Sequence, residues 1–258
     1  MRALLLIPLF LFFLIAAPDA GAETTAEKTA RILNKIDDMW RGKSSKAVMT
    51  MTVQTRHYTR TMKLDALSKG KEKTLVRIMA PLKEKGTATL KSGNEIYTYL
   101  PQTDRTIRLN SGMMMGSWMG SHFTNDDLVK ESRLMDDYVT TITFDGVRNG
   151  ISVIDLTLMP KPEAAVVWGK IELTVMDEII PLKETYYDED LKVARTMTFR
   201  DVREFGGRKM PAVLRVVPAD KPDEHTEIVY EAMRFDLDVN DALFSLSSLQ
   251  RQTGAGKN

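Results

Sequence analysis

Few residues of this chain belong to the types that carry covalent or metal chemistry. The chain has no cysteine, which excludes a thiolate nucleophile and any zinc site built on cysteine. Its three histidines, His57, His122 and His225, are not spaced as a metal-binding pair. His122 lies beside Ser121 and close to Asp126, which are the residue types of a catalytic triad. Closeness in sequence does not establish triad geometry, so these residues do not predict a hydrolase.

Two pairs of adjacent carboxylates, Asp126-Asp127 and Asp136-Asp137, are the remaining candidates for acid–base chemistry or cation binding. Adjacent residues on a helix do not face each other, so helix capping or solvation is the expected role of both pairs. The sequence contains no phosphate-binding loop and no Gly-x-Ser-x-Gly nucleophile elbow. We therefore expect no catalytic residue, no metal and no cofactor, and a protein that is not an enzyme.

The N-terminal residues have the three-part pattern of a secretory signal peptide. Arg2 precedes an apolar run from Ala3 to Ala17, and Ala20-Gly21-Ala22 forms a small-x-small cleavage site. The apolar run, at about fifteen residues, is shorter than the roughly twenty that a helix needs to cross a bilayer, so a retained anchor is the less favoured alternative. We predict a signal peptide over residues 1–22, cleaved after Ala22, and a protein exported to the periplasm.

The composition of the remaining chain limits its partners. The formal net charge of +1 leaves no basic surface for nucleic acid. No later segment is apolar for long enough to span a membrane, so membrane contact is expected to be peripheral or transient. Without cysteine there are no disulfides and no thiol for a lipid anchor, so the fold must depend on its hydrophobic core. We predict a single domain over residues 23–252 and a frayed tail over residues 253–258.

Hydrophobic periodicity indicates one helix followed by many strands. Residues 25–41 have helical spacing, and Gly42 is a plausible stop. The apolar face of this helix holds Ala26, Leu33, Ile36 and Trp40. Beyond it the period changes to two, which predicts roughly twelve short strands, too many for one flat open sheet. The fold class that fits best is mainly β: a curved antiparallel sheet, or incomplete β-barrel, whose concave face is covered by the N-terminal helix and short helices.

Residues 110–137 interrupt the strand pattern. This insertion is rich in methionine, contains glycines that oppose one long helix, and predicts a short helix over residues 126–132 capped by Thr124 or Asn125. One interpretation makes its apolar side chains ordinary core. The other makes the insertion an adaptable lid over an apolar cavity, because methionine-rich surfaces accept varied partners. Our candidates for the cavity lining are Met113, Met114, Met115, Trp118, Met119, Phe123 and Leu128 of the insertion, with Met49, Met51, Met62 and Leu64 of the strands.

Three segments carry a resemblance to a known family: Gly86 to Lys91, Ile96 to Pro101 and, most specifically, Gly116 to Leu128. With the signal peptide, the helix that ends in tryptophan and the long antiparallel run, the mature chain resembles the outer-membrane lipoprotein-sorting proteins of the LolA-like superfamily. Residues 243–246 resemble the closing strand of that family. The resemblance implies an open half-barrel with helices on its concave side and a hydrophobic cavity for acyl chains.

The same resemblance implies a function without bond chemistry. We expect a periplasmic carrier that binds acyl chains of lipoproteins or other lipids and shuttles them between membranes. Proteins of this branch are often associated with membrane transporters, so an inner-membrane transporter is an expected partner. In the lipoprotein carrier of the superfamily an arginine on a strand holds the helical lid closed, but the sequence does not single out its equivalent. Arginines on predicted strands are Arg56, Arg60, Arg77, Arg105 and Arg108.

Two alternatives belong to other classes of protein. The related fold also occurs in envelope-stress regulators. The first alternative is therefore a periplasmic sensor or accessory protein that binds a membrane transporter or a regulator domain. An enzyme acting on lipid would need polar groups that converge inside the cavity, and an inward-pointing His122 would favour it.

Overall fold

The structure is a computed structural model and describes residues 23–130, 134–164 and 166–251. The predicted signal peptide and the predicted C-terminal tail lie outside these residues. Within them, strands dominate and form one large antiparallel sheet that is not closed into a barrel. The predicted mainly β class with an N-terminal helix and short helices is confirmed. In the described residues, no helix is long and apolar enough to cross a membrane.

The N-terminal helix, α1 (Thr25–Arg41), begins and ends where the periodicity predicts. Thr24 and Glu27 form a capping box, in which the Thr24 side chain accepts a hydrogen bond from the Glu27 backbone and the Glu27 carboxylate accepts one from the Thr24 backbone. Gly42, at φ 56°, donates its N–H to the carbonyl of Asp38 and ends the helix. The capping residues therefore set the length of α1 to the stretch that carries its apolar face.

The sheet contains thirteen strands in the described residues. They are β1 (Ser44–Gln54), β2 (Thr59–Lys69), β3 (Lys73–Ala80), β4 (Ala88–Ser92), β5 (Glu95–Leu100), β6 (Arg105–Arg108), β7 (Tyr138–Arg148), β8 (Ile151–Pro160), β9 (Lys170–Met176), β10 (Ile180–Tyr187), β11 (Val193–Phe205), β12 (Arg208–Pro218) and β13 (His225–Phe235). Their spatial order is β6-β5-β4-β3-β2-β1-β13-β12-β11-β10-β9-β8-β7. Every neighbouring pair except β1–β13 is consecutive in sequence, so the sheet is two meanders joined through β1 and β13.

Helix α1 defines the inner face of the sheet. It contacts β1 and β12 in the middle of the sheet and β7 at its end, although six strands lie between β1 and β7. A helix of this length reaches both only because the sheet curves around it. Inward residues from alternate strand positions pack with α1 and the insertion into two large apolar clusters. The inner face is therefore the main core of the protein.

The insertion between β6 and β7 contains several short helical pieces. Two single-turn 3₁₀ segments, Ser111–Met113 and Trp118–Gly120, precede α2 (Asn125–Lys130) and α3 (Leu134–Asp137). Thr124 caps α2: its hydroxyl accepts from the backbone N–H of Asp127, and the Asp127 carboxylate accepts from the backbone N–H of Thr124. Of the two capping residues predicted, Thr124 fills this role, and Asn125 is already helical.

The C-terminal segment covers the outer face of β3–β5. Residues 243–246 do not form the closing strand that the resemblance implied. They belong to a 3₁₀ turn, Asp241–Phe244, followed by α4 (Leu246–Gln250). Phe244 and Leu249 pack on Leu90 and Tyr99, and the buried Arg77 donates hydrogen bonds to the last carbonyls of α4. A helix rather than a strand forms here with Ser245 as its N-cap, because the Ser245 hydroxyl accepts a hydrogen bond from the backbone N–H of Ser248.

Two lysines tie this segment to the sheet. The Asp241 carboxylate lies 2.7 Å from the ammonium of Lys69 and 2.8 Å from that of Lys73, and these hydrogen bonds lower the pKa of Asp241 to about 2. Because the folded protein binds this proton more weakly than the unfolded chain, the contribution to stability is complete above the ordinary pKa of 3.8 and is lost as the pH falls toward 2.

We expect Asp241→Asn to melt below the wild-type protein at pH 6 and to converge with it at pH 2. Circular dichroism melts across this range measure the difference, and a constant difference would contradict the assignment.

Candidate functional site

A cavity of about 250 Å³ lies between α1 and the inner face of the sheet. All three tryptophans of the chain, Trp40, Trp118 and Trp168, line it, although they come from α1, the insertion and the loop before β9. The other large apolar side chains of the lining are Leu33, Ile36, Met49, Phe123, Leu128, Leu134, Met135, Tyr138, Ile171, Leu173, Tyr186, Met197, Phe199, Leu214, Ile228, Tyr230 and Met233. An apolar space of this kind, enclosed by aromatic rings and by side chains of several elements, is typical of a small-molecule site.

The floor of this first cavity comes from alternate positions of neighbouring strands. Ala47 of β1 is paired directly with Ala66 of β2, and both line the cavity. Their small side chains leave space beside the next inward pair, Met49 and Leu64, of which Met49 also lines the cavity. The period-two pattern therefore explains which residues face the cavity, and the pair of alanines explains why the space is there.

Charged groups line the first cavity in two places. Near the C-terminal end of α1, the Asp37 carboxylate lies 2.9 Å from Arg41 and 3.2 Å from Lys71. Beside α2, the lining includes Asp126, Asp127 and Glu184. The lining also holds four uncharged polar residues, Asn34, Ser45, Ser68 and Thr74, and the remainder is apolar. A ligand of matching chemistry is therefore mainly apolar.

A buried ion pair holds α2 against the sheet. Arg195 of β11 donates two hydrogen bonds to the Asp127 carboxylate, at 2.7 and 2.5 Å, while its guanidinium lies 4.5 Å from the ring centre of Trp168 and 4.2 Å from that of Tyr186. Burial by itself would lower the pKa of Arg195, but the hydrogen bonds and charge of Asp127 outweigh it, so the pKa is raised. Asp127 thus caps α2 and anchors it at the same time.

The environment of this ion pair is strongly desolvated. Burial raises the pKa of Tyr186 well above its usual value, and the neighbouring Glu184 carboxylate raises it further. Burial also raises the pKa of Tyr138, with smaller contributions from Asp126 and Asp137. Both tyrosines therefore stay neutral at physiological pH, and the cation of Arg195 remains paired in a region of low dielectric.

A second cavity, of about 700 Å³ and more open to solvent, lies on the same inner face above β3–β6. Its lining includes Ile78, Thr89, Thr98, Leu100 and Ile107 of the strands. Met113 and Met119 of the insertion complete it on the other side. No residue lines both cavities.

The structure distributes the predicted cavity residues over four environments. Met49, Trp118, Phe123 and Leu128 line the first cavity, and Met113 and Met119 line the second. Met51, Met62 and Leu64 are fully buried in the core and line neither. Met114 is half-buried and Met115 is 51% exposed, and both lie outside the two cavities.

Two arginines hold the insertion, and sequence reasoning named one of them. Arg60, among the arginines placed on strands, donates to the carbonyl of Met119 at 3.0 Å and forms an ion pair with Glu84. Arg195 was missed. A sequence signal for Arg195 does exist. In β11 it occupies an inward position followed by Met197 and Phe199, so it is a charged residue in an otherwise apolar alternation. The aromatic partner Trp168 was missed as well, since it lies in a loop without periodicity.

His122 lies outside both cavities. Its ring nitrogens are 2.9 Å from the Thr226 hydroxyl and 3.3 Å from the Glu224 carboxylate, so it ties the insertion to β13. Among the described residues, no group of three or more His, Asp or Glu side chains is arranged to hold a metal ion. Around the first cavity, Asp37 and Asp127 form ion pairs, and Asp127 also caps α2.

The fold and the cavity define a class of protein, the LolA-like open β half-barrel with helices on its inner face. The structure superposes on a DUF1329 family protein from Desulfovibrio piger with a TM-score of 0.77 and 20% identity, over 88% of this chain and 100% of that one. A putative outer membrane lipoprotein-sorting protein domain from Vibrio parahaemolyticus gives 0.74 and 22%, over 88% and 98%. A LolA superfamily protein from Nitrosomonas europaea gives 0.72 and 21%, over 87% and 99%. The resemblance found in the sequence is thus confirmed at the level of the fold.

A family model identifies the particular group of proteins. Residues 70–251 match a model whose description reads "Uncharacterized protein", and this range is more than half of the chain. The chain therefore belongs to that family. A search with the sequence of this chain found no match among curated proteins.

The ion pair between Arg195 and Asp127 can be tested by removing one charge. Asp127→Asn leaves the buried guanidinium without its counter-ion, so we expect a loss of unfolding free energy of about 3 kcal/mol. Asp190→Asn is the matched control, because Asp190 is 76% exposed and its ion pair with Lys192 should contribute less than about 1 kcal/mol. Urea titration of both variants measures the loss. Equal midpoints for the two variants would show that the pair does not anchor α2.

Proposed function

We propose that this protein is a periplasmic carrier that binds the acyl chains of lipoproteins or other lipids. The observation that carries the proposal is the first cavity, in which three tryptophans and a ring of aliphatic side chains enclose an apolar space on the inner face of a LolA-like sheet. Two of the structural neighbours are described as an outer membrane lipoprotein-sorting protein domain and a LolA superfamily protein, which supports the same class of ligand.

The physical requirement for such a carrier is apolar burial. An acyl chain exposed to water costs about 0.8 kcal/mol for each methylene group, so a carrier must offer comparable apolar surface while staying in solution. The first cavity meets this requirement because its aromatic rings replace water around the chain. Its charged groups near Asp37 and near Asp127 are the part of the lining that a polar headgroup would contact.

The buried ion pair supplies a way to open the site. Helix α2 contributes Leu128 to the cavity lining and is held to β11 through Asp127 and Arg195. The bonded pair keeps α2 in place, and its rupture would free one wall of the cavity without disturbing the strands. Loading and release then need only a donor and an acceptor of different affinity, with no bond made or broken in the lipid.

Export and partners follow from the same proposal. The N-terminal pattern of residues 1–22 directs the chain to the periplasm, where a carrier would exchange lipid with a membrane protein such as an inner-membrane transporter. Contact with the membrane itself would be peripheral and transient. The protein acts without catalysis.

Filling the first cavity tests the proposal. We expect Ala66→Phe to occupy the space above the alanine pair and to weaken binding of a fluorescent C16 fatty acid at least about tenfold. Ala232→Phe is the control, because Ala232 lies exposed on β13 and the same bulk there leaves the cavity open. Fluorescence titration of the mature protein measures the affinity, and thermal melting checks that both variants fold. Unchanged binding by folded Ala66→Phe would place the acyl chain elsewhere.

Native mass spectrometry of protein released gently from its own periplasm separates carriage from sensing. A carrier should appear with a bound lipid, and the added mass identifies the lipid. A complex with another protein and no lipid in any charge state would contradict carriage and favour a sensor or accessory protein of the same fold.

A further inference from the structure

The two ends of the open sheet are protected unequally against pairing with another chain. Strand β6 ends the sheet on one side and β7 ends it on the other. β6 contains only four residues, and it begins and ends with an arginine, Arg105 and Arg108. Short edge strands and charged side chains are the usual means by which proteins prevent edge-to-edge pairing. The β6 end of the sheet is therefore protected.

The first half of β7 lacks these protections. The strand has eleven residues, and in the part of the chain that the structure describes, β8 is the only strand paired with it. Residues 138–144 read Tyr-Val-Thr-Thr-Ile-Thr-Phe and contain no charge, no proline and no glycine. Neutral segments of β-branched and aromatic residues pair most readily with an added strand. The outer edge of β7 therefore presents backbone donors and acceptors along a segment suited to pairing.

The second half of β7 is protected, which limits the length of this segment. The pairing with β8 is interrupted by a bulge between Ile142 and Phe144. Beyond the bulge, the Asp145 carboxylate lies 2.6 Å from the ammonium of Lys28 on α1. Bulges and charges both oppose pairing at a sheet edge. The regular, uncharged part of the edge is therefore residues 138–142.

The surface beside this edge indicates what it pairs with. Val139 is 54% exposed and is paired directly with Met159 of β8, which is 41% exposed, so apolar surface borders the edge. A segment without charge has nothing that would select a partner of opposite charge. A second copy of the same segment has the same length, the same neutrality and the same alternation, so it complements the edge without a like-charge contact.

An antiparallel pair of two copies has a definite register. A twofold axis at Thr140 pairs the whole of residues 138–142 with itself and sets Thr140 opposite its own copy. Val139 then lies opposite Thr141, and Tyr138 lies opposite Ile142. Threonine pairs of this kind are favourable across strands, and the two copies of Val139 become diagonal neighbours at about 7–8 Å.

We propose that β7 is the docking surface for a second copy of this chain, with residues 138–142 of the two copies paired antiparallel about Thr140. The two open sheets then join into one continuous sheet, and the same surface is used by both protomers, as twofold symmetry requires. Each protomer keeps its own cavities on its inner face. This interaction surface goes beyond the proposed carrier function and does not depend on it.

Sedimentation equilibrium of the mature protein tests the proposal. We expect a dimer with a dissociation constant of about 10 µM, because five residue pairs make a smaller interface than that of a permanent dimer. Val139→Lys places a charge at the paired edge and should weaken the dimer at least about tenfold. Val147→Lys is the matched control, because Val147 lies on the same strand beyond the bulge and is 69% exposed, so this variant should keep the dimer. A monomer up to about 300 µM, or an equal response of the two variants, would overturn the proposal.

A cysteine placed on the twofold axis tests the register. The chain has no cysteine, so Thr140→Cys introduces a single thiol that faces its own copy. Opposite residues of an antiparallel pair have Cα atoms about 4.5–5.5 Å apart, which is within the range of a disulfide. With oxidised glutathione as oxidant, we expect a disulfide-linked dimer of Thr140→Cys on a non-reducing gel and a monomer of the control Val147→Cys. Thermal melting checks that both variants fold. Equal linkage of the two folded variants, or linkage of the control alone, would overturn the proposal.

Discussion

The open sheet presents an extended apolar inner face that must be shielded from water, and the rest of the structure depends on this constraint. A barrel would solve it by closure, but here the sheet stays open with β6 and β7 at its ends. Shielding therefore falls to elements outside the sheet, namely α1 and the insertion. Each large apolar side chain that they bury contributes about 1.5–3 kcal/mol, so the sheet and its cover are stable only together.

The cover does not fill the inner face completely, and the unfilled space is where function can lie. Protein interiors are normally packed to the density of organic crystals, so a cavity lined by three tryptophans next to a pair of alanines is a departure that costs stability. The protein tolerates this cost because α1 and the two apolar clusters hold the sheet on either side.

The buried pair of Arg195 and Asp127 connects the core with helix α2 of the insertion. Desolvating two charges is expensive, and a pair in this position adds little stability compared with apolar packing. Its effect is specific attachment, because Arg195 holds α2 to β11 through two hydrogen bonds to Asp127. The aromatic rings of Trp168 and Tyr186 pack against the same guanidinium.

The sequence by itself determined the elements whose signals are local. Helix α1 could be placed to the residue because its capping box and terminal glycine are adjacent to its apolar stripe. The strands followed from alternation, and the break in alternation located the insertion, because burial of one face leaves a mark at every second residue. The resemblance carried by residues 116–128 identified the class of fold that the comparisons confirm.

Only the tertiary structure decided how the insertion is used and which residues surround the cavities. Of the clustered methionines, Met113 and Met119 line the second cavity, whereas Met114 and Met115 line neither cavity. A segment without a regular period gives no indication of which way each side chain faces. Arg195 and Asp127 form an ion pair although they are 68 residues apart in sequence, and the ring of Trp168, which packs against Arg195, comes from a loop. Such pairings depend on sheet curvature and strand order, which are properties of the whole chain that no local pattern records.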